Sequence, residues 1–272
     1  MAEARAQTGE TLRREDLSWA GRLRRRVDLL LVPLGLVTFL ALWQGVVLVG
    51  GYPDFILPSP GRVAARLVAL AVEGSLGRHA WITVQEILGG LALGLITASI
   101  LGYVLARFRR LERLLSPYIV ASQAIPIVAL APLLVIWFGF GSLSKVLVCA
   151  LVVFFPVLVN TVVGLRGVDQ NLRDLMRTYE ATRWQTFRLL ELPAALPVLL
   201  GGLKVGVTLS VIGAVVGEFV GADRGLGFLV NLGHGLMDTP LMFVAIFTLV
   251  VIALALYGAV SLLEGRLLSW RT

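Results

Sequence analysis

Two kinds of residue in this 272-residue chain can do chemistry: ionisable groups set inside apolar runs, and a charged stretch, NLRDLMRTYEATRWQTFRLLELP, at 171–193. Glu218 lies in GAVVGEFVG and Glu86 in ITVQEILGG. A carboxylate within an apolar span points to function, because its burial has to be compensated. Near the end of a span, the same group serves equally well as a snorkelling residue or a hydrogen-bonding partner within a bundle. Gln123 and Pro126, in ASQAIPIVALAPLL, add a polar group and a helix break to another apolar run. Together with Ser210, these residues are the candidates for lining a path through a membrane: Gln123, Pro126, Ser210 and Glu218. Kinked packing alone also explains the prolines. Asn160 and Thr161 read as hydrogen-bonding groups between helices. His79 and His234 lie far apart and read as solvated loop residues, and Cys149 is the single cysteine. No metal cluster, disulfide or cofactor is expected from them.

The elements that must position these groups are long and apolar. Hydrophobic residues make up 57% of the chain, charged ones only 15%, and the mean hydropathy is +0.87. About 20 mostly apolar residues span a bilayer core as a helix. Six segments qualify, at about 29–49, 84–106, 116–138, 144–164, 198–221 and 242–263. The expected fold is all-α: a polytopic membrane protein with six transmembrane helices. Apolar runs that are continuous, with no period of two, exclude a closed barrel.

The net charge of +7 is distributed by loop. With the N-terminus inside, nineteen of the 24 lysines and arginines fall in inner segments. The five others are Arg62, Arg66, Arg78, Lys145 and Arg224. The positive-inside rule then places both termini in the cytoplasm, so the basic balance reflects topology and implies no nucleic-acid partner. Residues 1–27 read as a basic cytoplasmic tail and 28–272 as the membrane domain, with the first apolar helix a retained anchor. Residues 51–82 read as an outer segment with a short interfacial helix, capped by Ser59 with Pro60 at its first position. Gly90, Gly94, Ala98 and Gly102 form one small-residue line, and Gly213, Gly217 and Gly221 a second. Such lines suit close helix contact, within the bundle or between subunits.

The longest inner loop, about 165–193, reads as a helix-turn-helix. Leu172, Leu175, Met176 and Tyr179 share one helical face. Thr182 and Gln185 match a capping box that starts a second helix, with Trp184, Phe187 and Leu190 on its apolar side. Pro193 is expected to end that helix before the next span. Two readings fit: a helix pair lying on headgroups, or a docking element for a cytosolic partner.

The segment resembles the EAA loop of the ATP-binding-cassette importer permeases of the binding-protein-dependent transport family. Asp174, Leu175 and Met176 stand at the E-A-A positions, Glu180 at the motif's glycine, and Leu192 and Pro193 at its Leu-Pro end. LPSP (57–60), IPIVALAPLLVIWFGFGSLSK (125–145), FFPVLVNTVVGL (154–165) and GLGFLV (225–230) resemble the nitrate/sulfonate/taurine branch. The pyrimidine-precursor and riboflavin-type permeases look nearest. The resemblance implies a coupling loop docked in a cleft of a separate cytosolic ATPase subunit. It further implies two such subunits, a permease homodimer, an extracytoplasmic substrate-binding protein and residence in the inner membrane. The implied coupling residues are Asp174, Arg177, Tyr179, Glu180, Ala181, Thr182, Arg183, Trp184 and Gln185. Because glutamate is costly where glycine adopts a left-handed conformation, Glu180 is expected to stay helical, with the bend at Ala181–Thr182.

No G-x-x-x-x-G-K-[ST] phosphate loop occurs, and GFGSLSK (139–145) has the wrong spacing, so ATP hydrolysis is expected in another chain. An ion-coupled secondary transporter is the alternative. It would normally show paired charges within spans, and the sequence suggests no such pairing. A membrane enzyme would need convergent His, Asp, Glu or Ser groups at one face.

Overall fold

The structure is a computed structural model that describes residue 31 and residues 33–269. The basic tail at 1–27 lies outside the described residues. Two units are distinguished, 1–64 and 65–272. In the first, α1 (Pro33–Gly50) is apolar enough to cross a membrane. It is followed by a turn in which the Ile56 N–H donates to the Pro53 carbonyl. Arg62 pairs with Asp54 at 3.2 Å, and the Ser59 hydroxyl accepts from the Arg62 N–H, capping α2 (Pro60–Val72) as expected.

The second unit contains α3 (Ser75–Arg107), α4 (Arg109–Gln123), α5 (Ile127–Phe138), α6 (Ser142–Arg166), α7 (Gln170–Thr178), α8 (Arg183–Thr186), α9 (Leu192–Gly221), α10 (Leu226–Leu236) and α11 (Thr239–Leu267). A π-turn, Phe187–Glu191, joins α8 to α9. Among the described residues, five helical segments can cross a membrane, or six if α4 and α5 count as one broken span. The run expected at 116–138 as one span is bent by 93° between those two helices. Pro126 causes the break: its ring disfavours helical geometry at Ile125, and it restarts the chain at the head of α5.

α6 is the centre of the unit, packed between α3 and α9. The two small-residue lines explain this: both face α6, except that Gly221, at the end of the second, faces Val135 of α5 and Phe140. A Cβ on Gly90 would fall 2.1 Å from Cys149 Cβ, and one on Gly213 would fall 2.8 Å from Cys149 Cα. Gly94 and Gly102 press on Ala150 and Thr161, and Gly217 on Lys145. Backbones this close gain dispersion contacts, which drive helix association where lipid is as apolar as the side chains. Asn160 and Thr161 do not bridge helices as expected. Each side chain donates to a carbonyl of its own helix, at Pro156 and Val157.

Pro193 does not end the loop's second helix. The helical path runs from Arg183 to Gly221. In the π-turn the Leu192 N–H reaches back five residues to the Phe187 carbonyl. This wider turn accommodates a proline whose ring would otherwise press on the carbonyl four residues earlier.

Candidate functional site

Two arrangements concentrate the chemistry, at opposite ends of α3. At one end the 167–191 segment projects from the bundle. Asp169 caps α7 by accepting from the Asn171 N–H at 2.9 Å. Asp174 accepts from Gln170 and Arg177, at 3.0 and 2.9 Å, on the solvent side. The turn that follows is a Schellman motif: the Ala181 N–H donates to the Met176 carbonyl and the Glu180 N–H to the Arg177 carbonyl.

That motif puts Glu180 in the left-handed region, at φ 52°, and corrects the expectation that it stays helical with the bend one residue later. The two reciprocal hydrogen bonds satisfy carbonyls that would otherwise be orphaned at the helix end, and they hold the glutamate where glycine is the cheaper residue. Glu180→Gly should therefore steady the turn by about 1 kcal/mol, seen as slower amide exchange at Ala181. Equal or faster exchange would show that the turn carries no such strain.

Thr182 then opens α8 with a complete capping box. Its hydroxyl accepts from the Gln185 N–H, and the Gln185 side chain accepts from the Thr182 N–H. The turn and the box fix the angle between two short helices that could not hold it alone. The loop's root is also fastened. Arg173 donates to the Leu165 carbonyl at 2.6 Å, and Arg166 pairs with Glu112 at 2.5 Å while donating to the Leu105 carbonyl. Tyr179 is 77% and Trp184 67% exposed at the tip, and Leu172 and Leu175 are exposed beside them. Arg183 and Gln185 are exposed too, and Ala181 is half-buried.

At the other end lies a buried polar cluster. Glu86 on α3, Lys145 on α6 and Glu218 on α9 are each under 5% exposed. Lys145 Nζ stands 3.4 Å from a Glu86 oxygen. Glu218 accepts from the Thr83 hydroxyl at 2.6 Å and from the Gly227 N–H. Thr83 in turn accepts from the Leu226 N–H, and His79 Nδ1 accepts from the Gly225 N–H. Gly225, at φ 112°, must lack a side chain, since a Cβ there would fall 2.2 Å from the Glu218 carboxyl carbon. The cluster thus ties three packed helices to the chain leading into α10. His79, stacked on Phe228, belongs to this network and is no solvated loop residue. Lys145, assigned from sequence to an outer loop, is a buried ion-pair partner.

The four candidate path residues are not gathered at one point. Gln123 donates to Ile119 of its own helix, and Pro126 heads α5. Ser210 is fully buried and donates to Val207, while Glu218 belongs to the cluster. Sequence reasoning missed the pairing of Glu86 and Glu218 around Lys145. Each residue lies within about three turns of the helix terminus at this end of the bundle, but spacing along the chain does not say which helix faces meet.

A bundle of apolar helices carrying an exposed helix-turn-helix at one end is the arrangement that the resemblance to importer permeases implies. The chain belongs to the family described as the binding-protein-dependent transport system inner membrane component, which it matches over residues 90–269. It is 50% identical over 239 residues to the riboflavin transport system permease protein RibX of Chloroflexus aurantiacus, covering 88% of this chain and 89% of that one. It is 37% identical to the formylaminopyrimidine transport permease protein ThiX of Halalkalibacterium halodurans, over 92% of this chain and 99% of the relative. The fold is shared with a chain of the inward-facing MetNI methionine ABC transporter, at a TM-score of 0.59 and 20% identity, covering 70% of this chain and 94% of that one. The protein is an inner-membrane permease subunit of an ABC importer.

Proposed function

We propose that the 167–191 segment is the element through which this permease is driven by a separate cytosolic ATPase. In this reading two ATPase subunits serve a permease homodimer, the loop end faces the cytosol, and both termini and the 1–27 tail lie on that side. Residues 28–272 act as a single permease domain. The observation that carries the reading is the exposed apolar tip, Tyr179 and Trp184, on a turn locked by a Schellman motif and a capping box. A rigid aromatic anchor on a short helix suits insertion into a protein cleft better than repose on headgroups, because little conformational entropy is left to lose on docking. Asp174 and Arg177 flank that tip as a polar rim. Gln123 and Pro126, at the 93° break, remain the better candidates for the path, since unwound backbone at membrane depth is tolerated where it lines a cavity.

The solute is an uncharged heteroaromatic of the riboflavin or pyrimidine-precursor class, delivered by an extracytoplasmic binding protein. Similarity to a riboflavin permease over most of both chains supports this, and so does the pairing of the one buried span lysine near that face with Glu86. Lys145 is thereby unavailable to receive an anion. Purifying the cognate binding protein and identifying its bound ligand by mass spectrometry should return an isoalloxazine or an aminopyrimidine. A sulfonate or nitrate would overturn the assignment.

A further inference from the structure

At the root of the loop a basic cavity of about 380 Å³ opens among Arg107, Arg109, Arg173, Gln170 and Tyr103. A smaller one of about 210 Å³ adjoins it and shares Arg107, Arg173 and Tyr103, with Arg177 and Arg183 added to its wall. Glu191 is the one acidic residue lining either space. It stands 3.5 Å from Arg173 and 3.9 Å from Arg107, and with Arg177 paired to Asp174 it is the single carboxylate among Arg107, Arg109, Arg173 and Arg183. The buried Arg173 Nε makes no hydrogen bond and faces the Glu191 carboxylate at 3.5 Å. Asp174, another acid on the loop, is turned outward to Arg177 and Gln170.

A third cavity, of about 390 Å³, meets the first at Tyr103 and Leu165 and is almost wholly apolar, walled by Ile100, Val104, Phe187, Leu192 and Leu199. The combined space is therefore amphipathic: a cluster of guanidiniums at the end of the bundle, continued along the spans by an aliphatic groove. Guanidinium forks match phosphate oxygens in geometry and charge, and a hydrocarbon groove matches an acyl chain. A free phosphate would use the first feature and leave the second without purpose.

We propose that this composite cavity binds one anionic phospholipid, its phosphate held by Arg107, Arg109 and Arg173 and one acyl chain laid between Ile100, Phe187 and Leu199. The bound lipid fastens the loop's root to the inner end of α3. Its headgroup neutralises the excess positive charge that Glu191 alone leaves beneath the loop.

Native mass spectrometry of the detergent-purified chain tests this, using phosphatidylglycerol, phosphatidylcholine and soluble glycerol 3-phosphate as probes. Phosphatidylglycerol should bind with a clear preference over phosphatidylcholine, and glycerol 3-phosphate should compete poorly. Arg107→Ala with Arg109→Ala, both at exposed positions, should weaken phosphatidylglycerol about 30-fold, while Arg110→Ala leaves it unchanged. Ile100→Trp should weaken the lipid by filling the groove. Equal binding of the two lipids, or retention by the double arginine variant, would overturn the proposal. Efficient competition by glycerol 3-phosphate would reduce the cavity to a free phosphate site. Displacement of the lipid by a purified ATPase subunit, lost in the same variants, would make it a protein docking surface instead.

Discussion

Replacing Tyr179 and Trp184 with alanine should abolish stimulation of the proposed partner ATPase and stop transport, while the permease should still insert and purify at wild-type yield. The two side chains are 77% and 67% exposed, so removing them leaves the chain's own packing nearly untouched. Trp184 stacks only loosely on Phe187, at 5.8 Å between ring centres, and Phe187 keeps its edge contact with Tyr103. Aromatic anchors at the centre of an interface each carry about 2 kcal/mol or more, on the order of 30-fold in affinity. Losing both should leave a polar rim too weak to hold a docked ATPase subunit. Pull-down of co-expressed ATPase and ATP turnover in proteoliposomes measure the effect. Undiminished turnover in a properly inserted double variant would remove the loop from the coupling route.

The second large effect belongs to the buried cluster. Lys145→Met leaves Glu86 beside Glu218 with no cation, at a site where all three are almost wholly excluded from solvent. Breaking a buried pair by removing one partner costs about 3–5 kcal/mol, because the remaining charge is uncompensated. The single variant should therefore unfold at markedly lower temperature in detergent. Adding Glu86→Leu should recover most of the loss, since an apolar replacement of the whole pair is often neutral. If Lys145→Met alone is as stable as the wild type, the pair does not hold α3 to α6. The Glu218 contacts to Thr83 and Gly227 survive in both variants, so the path into α10 should persist in the double variant.

How much of this was legible in the sequence varies with the range of the interaction that decides it. Local signals were dependable. Thr182 and Gln185 are three residues apart, and the capping box they form needs nothing from elsewhere in the chain. The apolar runs likewise identified five of the spans, because a bilayer sets their length, while the run at 116–138 is broken by 93° at Pro126. Glu180 was misread because propensity argued against a left-handed glutamate. Two backbone hydrogen bonds outweigh that preference, one donated by Glu180 itself to Arg177 and one by Ala181 to Met176. Pro193 was misread for a related reason, since a π-turn that absorbs a proline leaves no compositional mark. The Glu86–Lys145–Glu218 cluster depends on three helices meeting, and nothing in one chain's spacing says which faces will touch. The glycine lines did show where close contact was possible. Only the packing showed that the lines serve α6, with Gly221 alone meeting Val135 and Phe140, and that no subunit seam is needed to account for them.

The most direct test of the central claim is a crosslink at the turn itself. Cys149, the native cysteine, is fully buried, so Glu180→Cys supplies a single reactive thiol at the exposed bend. A short thiol-to-amine crosslinker applied to membranes containing the assembled transporter should join position 180 to the ATPase subunit. Glu73→Cys, at the opposite end of α3, should give no such product. Crosslinking to the ATPase from position 73 but not from 180, or from neither, would contradict the coupling role assigned to the loop.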